Sequence, residues 1–145
     1  MKKIIKDDGK LISSCSYALN KKYIYPTLVA MISLVINAGN NTFYNIYINN
    51  KIPTAEYYRL EIHNILPDVD RIVYMDRDNA VFQDLSELII LDMEENYILG
   101  FLDSIPKALR KFKVKNAVVL CSGVLLMDLN ALRINNISEK YSKFL

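Results

Sequence analysis

The chain has 145 residues, of which 52% are hydrophobic and 23% are charged, and its formal net charge is +2. This length is enough for a single domain, residues 1–145, with a hydrophobic core, and the composition argues against an intrinsically disordered protein. The charge is too small to indicate a nucleic-acid partner. The two cysteines, Cys15 and Cys121, each fall in a strand-like run, which predicts reduced and buried thiols.

The distribution of apolar residues and lysines indicates where in the cell the protein is located. Only two apolar residues, at 4–5, follow the first lysines, so no signal peptide is expected. The longest apolar run, residues 27–36, is too short to cross a bilayer. We therefore expect a cytoplasmic protein. Lysines cluster at residues 2–10 and 107–115; we interpret both clusters as solvent-exposed, with peripheral contact to the cytoplasmic face of a membrane as the alternative.

Strand-like and helix-like segments alternate along the chain. Runs of β-branched and aromatic residues predict strands, and apolar residues at helical spacing predict helices. In chain order, we expect strands at 11–18, 43–48, 71–75, 97–102 and 118–128, and helices at 26–36, 55–66, after 83 and at 138–145. This alternation predicts an α/β fold with a mostly parallel sheet.

Three local expectations accompany these elements. The helix at 26–36 is apolar on nearly every side, so we expect it to be buried or to lie flat on a sheet. Gly39 is expected to be its left-handed cap. Thr54 and Ser138 are expected to cap the second and the last helix.

Two aspartates follow the third predicted strand. If the backbone stays extended after Met75, Asp76 and Asp78 lie on the same face, because side chains two residues apart in a strand point the same way. Carboxylate oxygens are the ligands that Mg²⁺ and Mn²⁺ prefer, and ligands of α/β sheets bind beyond the carboxyl ends of strands. The same pattern is common in ordinary solvated turns, so the spacing by itself leaves both interpretations open.

Four segments, taken together, resemble glycosyltransferase family 8. They occur in the order YYRL at 57–60, VYMDRD at 73–78, DLSEL at 84–88 and SGVLLMDL at 122–129. The resemblance covers most of the chain from Ser13 onward. The family consists of retaining transferases that include lipopolysaccharide galactosyl- and glucosyltransferases and glycogenin. It implies a Rossmann-like fold of the GT-A type, with a mostly parallel sheet flanked by helices.

The resemblance also implies roles for particular residues. Asp76 and Asp78 would hold Mn²⁺, or Mg²⁺, against the diphosphate of a UDP-sugar donor. Arg59 would lie near the donor sugar and the diphosphate, and Asp103 near the sugar hydroxyls, so we predict both to be catalytic. The remaining predicted contacts to the nucleotide sugar are Tyr23 at the nucleoside and the backbone of Ser122 and Gly123 at the sugar.

Without the resemblance, ordinary interpretations would be preferred for two of these residues. Arg59 would form a helix-surface ion pair with Glu56 or Glu61, and Asp103 would be a turn residue at a strand end.

The sequence departs from the family at several positions. Residues 20–22 are Asn-Lys-Lys, where the family has acidic residues and an asparagine that contact the nucleoside. Arg77 stands between the two aspartates, where small or apolar residues are usual, and it would weaken metal affinity if it pointed inward. Cys121 replaces an asparagine near the donor sugar. Only a turn separates Ile48 from Thr54, where the family has a further helix and strand.

The family's C-terminal segments have no counterpart in this sequence. They include a histidine that is the third protein ligand of the metal. His63 lies in a different block and is expected at the surface or on a helix face, so it does not replace that ligand. The predicted fold is therefore incomplete at the C-terminus.

Three functions remain open. The first is transfer of a hexose from a UDP-sugar to a glycan or lipid-linked saccharide acceptor, with retention of configuration. The second is a non-catalytic remnant of the family that binds nucleotide sugars. The third is a Mg²⁺-dependent phosphohydrolase of the haloacid-dehalogenase kind, with Asp76 as nucleophile and Asp78 as acid and base. That enzyme also needs a downstream lysine, and it leaves the segment at 122–129 without a role.

Overall fold

The computed structural model describes residues 6–7, 10–18, 21–49, 55–102 and 119–143. Asp103, Thr54 and the basic segment at 107–112 lie outside the described residues. The described strands are β1 (Lys6–Asp7), β2 (Lys10–Ala18), β3 (Thr42–Asn49), β4 (Arg71–Met75), β5 (Ile98–Leu102) and β6 (Leu120–Asp128). The described helices are α1 (Ile24–Ile36), which follows a 3₁₀ turn at Lys21–Tyr23, α2 (Ala55–Ile65), α3 (Ser86–Ile89), α4 (Leu129–Ile134) and α5 (Ile137–Ser142).

The strands form one mixed sheet. β2 lies between β3 and β4 and is parallel to both. β6 is antiparallel to β4 and to β5, so β5 points in the same direction as the three parallel strands. The order β3–β2–β4–β6–β5, with the short β1 paired to the start of β2, confirms the predicted mostly parallel α/β sheet.

Helices pack on both faces of the sheet, and each face has its own core. Strand β4 contributes to both, because its side chains alternate. Val73 and Met75 belong to the core beneath α1 and α3, whereas Ile72 and Tyr74 belong to the core beneath α2 and α4. By the same alternation, the next residue, Asp76, emerges on the α2 side at the carboxyl end of β4.

Helix α1 lies on the sheet, which is the second of the two predicted arrangements. Thr27, Ala30 and Leu34 are buried against the sheet. The opposite face of the helix is exposed although it is apolar, with Tyr25 at 81% and Ile36 at 73% exposure. The helix is therefore buried only on the side that faces the sheet. The large apolar side chains exposed on it are Ile24, Tyr25, Leu28, Val29, Ile32, Val35 and Ile36.

Contrary to expectation, Gly39 is not the left-handed cap of helix α1. The C-cap of helix α1 is Asn37, whose φ is −96°, and Gly39 itself lies outside the positive-φ region. Its lack of a side chain is explained by Asp84 instead, because a Cβ at Gly39 would collide with the Asp84 carboxylate. Burial by itself would raise the pKa of Asp84, but its hydrogen bonds lower it to about 2. The donors are the hydroxyls of Tyr44, Thr42 and Ser86 and the backbone N–H of Ser86.

The structure corrects the expectations for His63 and Ser138. His63 is only 2% exposed, so it is buried and not on a helix surface. Ser138 lies inside α5 and does not cap it; its hydroxyl is 2.9 Å from Nε2 of His63. Helix α4 was not expected, and its N-cap is Asp128, whose Oδ1 accepts a hydrogen bond from the N–H of Ala131 at 2.8 Å.

The two cysteines occupy different environments. Cys15 is fully buried on β2, as predicted, and burial raises the pKa of its thiol to about 12. Cys121 is exposed near the start of β6, so the prediction of a buried thiol is wrong there. Within the described part of the chain, no helix has both the length and the apolar character needed to span a bilayer.

Candidate functional site

A tight turn follows the central strand β4. The strand ends at Met75, and the N–H of Asp76 still donates to the carbonyl of Gly123 on β6 at 2.7 Å. The N–H of Asn79 then donates to the carbonyl of Asp76 at 3.3 Å, which closes a four-residue turn. The backbone therefore does not stay extended to Asp78. Both carboxylates instead lie on one turn beyond the strand end, with Asp78 exposed and the Asp76 side chain 33% exposed.

The Asp76 carboxylate has a different environment at each oxygen. Oδ1 accepts a hydrogen bond from the Tyr74 hydroxyl at 2.7 Å and pairs with Nη2 of Arg59 at 3.4 Å. Oδ2 lies over Gly123, where an added Cβ would be 3.4 Å away. Burial raises the pKa of Tyr74, and so does its bond to Asp76, which keeps the hydroxyl protonated as a donor. Oδ1 is thus bound to the protein, while Oδ2 faces the space left by the glycine.

Arg59 joins helix α2 to this turn. Its Nη1 donates to the carbonyl of Ser122 at 2.6 Å, and its Cζ lies 4.9 Å from the centre of the Tyr74 ring. The ion pair of Arg59 is with Asp76, so the guanidinium faces the sheet end and does not lie along the helix surface. Its Nε is buried without a hydrogen-bond partner among the described residues.

Asn79 holds the turn against the neighbouring strand. Its Nδ2 donates to the carbonyl of Gly123 at 2.9 Å and to the carbonyl of Asp76 at 3.2 Å. Because β6 runs antiparallel to β4, Gly123 lies beside the end of β4, and the amide of Asn79 bridges the two chains there. These hydrogen bonds fix the position of Asp76 relative to Ser122 and Gly123.

Tyr23 and Arg77 meet on the other side of the turn. The Cζ of Arg77 lies 3.8 Å from the centre of the Tyr23 ring, so the guanidinium is stacked on it. Tyr23 immediately precedes α1, which places it at the carboxyl end of β2. The contact therefore connects the carboxyl ends of the adjacent parallel strands β2 and β4.

The structure brings most of the predicted residues to one edge of the sheet. Arg59 contacts both Asp76 and Ser122, and Asp76 also lies against Gly123. Asp78 lies on the same turn. Tyr23 contacts this turn through Arg77. Asp103 lies outside the described residues, so its predicted position stays a prediction.

Two members of the site, Tyr74 and Asn79, were missed by the sequence interpretation. A signal existed for Tyr74, because the alternation applied to Asp76 and Asp78 also places Tyr74 on the same side as Asp76. Asn79 carried a weaker signal, since an asparagine after Asp-Arg-Asp is typical of turns and its amide can bond to backbone.

The turn offers hard oxygen ligands for a divalent cation. Oδ2 of Asp76 has no hydrogen bond recorded among the described residues, and the glycine beside it leaves room for a ligand. Asp78 supplies a second, exposed carboxylate. The described part of the chain contains no group of three or more His, Cys, Asp or Glu side chains that could hold a metal. The residues present therefore fit an ion that takes its remaining ligands from phosphate oxygens and water.

Comparison with known proteins identifies the family. The model of glycosyl transferase family 8 matches residues 48–145 of this chain, which is more than half of its length. No curated protein matches.

Three solved glycosyltransferases show the same fold. Galactosyltransferase LgtC, in complex with donor and acceptor sugar analogs, has a TM-score of 0.69 and 18% identity, covering 90% of this chain and 63% of LgtC. The bifunctional glycosyltransferase WbbM, in its apo form, has a TM-score of 0.69 and 12% identity, covering 91% of this chain and 34% of WbbM. Glycosyltransferase GlyE of Streptococcus pneumoniae TIGR4 has a TM-score of 0.61 and 20% identity, covering 91% of this chain and 38% of GlyE.

This chain thus spans less than two thirds of each of these three proteins. The resemblance recognised in the four sequence segments agrees with the family model and with a GT-A-type sheet, so this chain belongs to glycosyl transferase family 8.

Proposed function

We propose that this chain forms the nucleotide-sugar site of a transferase that moves a hexose from a UDP-sugar to a glycan or lipid-linked saccharide acceptor. One observation carries the proposal: the Asp76 carboxylate, the Arg59 guanidinium and the backbone of Ser122 and Gly123 meet at the carboxyl end of β4. This is the edge at which α/β sheets bind ligands. Family membership argues against the phosphohydrolase, which would leave Ser122 and Gly123 without a role.

In this proposal, Asp76 and Asp78 hold Mn²⁺ or Mg²⁺. The bound ion would neutralise charge that develops on the UDP leaving group as the sugar departs. Oδ2 of Asp76 is the ligand atom, because Oδ1 is occupied by Tyr74 and Arg59. Tyr74 is then a positioning residue that orients the carboxylate.

Arg59 supplies a permanent positive charge beside the diphosphate. Its side chain is only 15% exposed, so its charge acts through a poorly screened environment. Ser122 and Gly123 present backbone to the donor sugar, and Gly123 permits that close approach because it has no Cβ. Asp103 is proposed to bind the sugar hydroxyls.

Retention of configuration and the classes of donor and acceptor, a UDP-hexose and a saccharide, are proposed on the basis of the family. A cytoplasmic location is proposed from the sequence, with peripheral contact of the lysine clusters to the cytoplasmic face of a membrane as the alternative. No nucleic-acid partner is proposed, because the net charge is small.

Calorimetric titration with UDP, with and without Mn²⁺, tests the nucleotide site. We expect Mn²⁺ to strengthen UDP binding, and the substitutions Asp76→Asn and Asp78→Asn to remove that gain. Asp92→Asn is the matched control, since Asp92 is an exposed aspartate of the loop after α3. UDP binding that is indifferent to Mn²⁺ in the parent chain would contradict the metal site.

Release of labelled hexose from UDP-hexose separates the enzyme from its non-catalytic alternative. Transfer to a saccharide acceptor supports the transferase. Mn²⁺-dependent UDP binding without sugar release would support the nucleotide-binding remnant.

A further inference from the structure

Arg77 stands between the two predicted metal ligands, yet among the described residues it forms no ion pair with either of them. Its guanidinium is stacked on the Tyr23 ring at 3.8 Å from Cζ to the ring centre. Its Nη1 is buried and has no hydrogen-bond partner among the described residues. A guanidinium N–H without an acceptor is costly, so this side chain has hydrogen-bonding capacity that the described residues do not use.

The stack fixes where the charge of Arg77 lies. The guanidinium is planar and permanently charged, and an aromatic ring face attracts it while leaving its in-plane N–H groups directed sideways. Tyr23 belongs to the segment at the end of β2, and Arg77 belongs to the turn after β4. The positive charge is therefore held between two adjacent strand ends, on the turn that also carries the two carboxylates.

Charge balance at this edge follows from the same contacts. A site with only Asp76 and Asp78 would repel a diphosphate until a metal ion arrived. Here two guanidinium groups, Arg59 and Arg77, offset two carboxylates, so the turn and its contacts carry no net negative charge. An anionic ligand can then approach before any metal is bound.

We propose that Arg77, positioned by Tyr23, is an anion-recognition residue that gives this chain a metal-independent component of affinity for a nucleoside diphosphate. The inference rests on the proposed nucleotide site and specifies its electrostatics. Arg77 donates to phosphate oxygens, and the Tyr23 ring holds the guanidinium in the orientation that does so. Arg77 thereby adds affinity from a position at which a cation was expected only to weaken metal binding.

The experiment measures UDP affinity by calorimetry in EDTA and, separately, in saturating Mn²⁺, with inorganic pyrophosphate as a second probe. The parent chain is expected to bind both ligands in EDTA. Arg77→Gln should weaken EDTA binding about tenfold, the loss typical of one charge-assisted hydrogen bond. Arg77→Lys should recover part of the affinity, because it restores the charge without the planar fork.

Two substitutions at Tyr23 distinguish the contribution of its ring to binding from that of its hydroxyl. Tyr23→Phe keeps the stacking surface and Tyr23→Leu removes it, so pyrophosphate affinity in EDTA should fall further in Tyr23→Leu, toward that of Arg77→Gln. Pyrophosphate is the readout for both variants, because Tyr23 is itself predicted to contact the nucleoside of UDP. Lys140→Gln is the control for a lost positive charge, since Lys140 is exposed on α5, and it should leave EDTA binding unchanged. Thermal unfolding of each variant shows whether it is folded.

Two results would overturn the inference: parent-level EDTA affinity in Arg77→Gln, or no binding of either probe by the parent chain in EDTA. Neither result removes the proposed function, which depends on a Mn²⁺-dependent gain lost in Asp76→Asn and Asp78→Asn. Conversely, if Mn²⁺ gives no gain but pyrophosphate binding in EDTA still requires Arg77, the anion site stands and the metal site falls.

Discussion

The hydroxyl of Tyr74 donates to Oδ1 of Asp76 at 2.7 Å, although the two residues are separated by only one position in the chain. The contact is possible because Tyr74 ends the buried face of β4 and Asp76 continues from the same side into the turn. A core tyrosine thus directly orients the carboxylate at the candidate metal site.

Tyr74→Phe should therefore reduce both stability and Mn²⁺-dependent binding. Loss of one buried hydrogen bond is expected to lower the free energy of unfolding by about 1 kcal/mol. Asp76 would also be less firmly oriented, so the gain in UDP affinity from Mn²⁺ should shrink. Urea unfolding and calorimetry measure the two effects. Tyr47→Phe, on the partly buried face of β3, is the control and should change neither; an unchanged Mn²⁺ gain in Tyr74→Phe would contradict this role.

Asn79 is expected to be more sensitive to an acidic replacement than to truncation. Asn79→Ala removes two donated hydrogen bonds and should cost about 1–2 kcal/mol of unfolding free energy. Asn79→Asp is nearly isosteric, but it directs a carboxylate at the carbonyls of Asp76 and Gly123, so it should be the more destabilising variant. Urea unfolding at neutral pH gives the order, and the reverse order would show that the amide does not bridge the two carbonyls.

The sign of the stability change caused by Gly39→Ala tests the close approach of Gly39 to Asp84. Since Gly39 has no positive φ, alanine would ordinarily stabilise by about 0.4–1 kcal/mol through the unfolded state. Here the new Cβ meets the Asp84 carboxylate, which cannot withdraw without giving up its bonds to Thr42 and Tyr44. We expect a destabilisation of about 1–3 kcal/mol instead. A more stable variant in thermal unfolding would refute the close approach.

His63 should make stability sensitive to mild acid. Burial lowers its pKa from the ordinary 6.5, and nearby Arg133 also lowers it, while Glu61 opposes the shift. The unfolded chain therefore binds a proton more readily than the folded one. Its contribution to stability is complete above about pH 6.5 and is lost as the pH falls below that value toward the folded pKa.

His63 is the only histidine of the chain, so its protonation can be followed directly. An NMR titration of its imidazole should give a folded-state pKa below 6.5, and His63→Gln should show a weaker loss of thermal stability between pH 7 and 5 than the parent chain. Equal losses in both proteins would assign the acid sensitivity to other groups.

Most of the sheet could be predicted from sequence, because its strands are short runs of β-branched and aromatic residues separated by polar turns. The bounds of β4 match the prediction, and its alternation identified the strand end that carries Asp76. The geometry beyond the strand could not be obtained in this way, since a turn at Asp76 depends on the carbonyl of Gly123, which lies far away in sequence.

Other differences have a similar cause. The pairing of Arg59 with Asp76, the burial of His63 and the position of Gly39 against Asp84 all depend on which elements become neighbours in the fold. Periodicity describes one helix or strand at a time. It predicted α1 correctly as apolar but did not reveal that one side of it is left uncovered by the described residues.

That side of α1 has a practical consequence. The helix contains no Asp, Glu, Lys or Arg, and the chain as a whole carries only two net positive charges. Little electrostatic repulsion therefore opposes contact between molecules through this surface, and apolar contact becomes more favourable in strongly salting-out solutions such as ammonium sulfate. Solubility of the isolated chain should thus be limited by α1, and charged substitutions at Val29 or Ile32 should raise it.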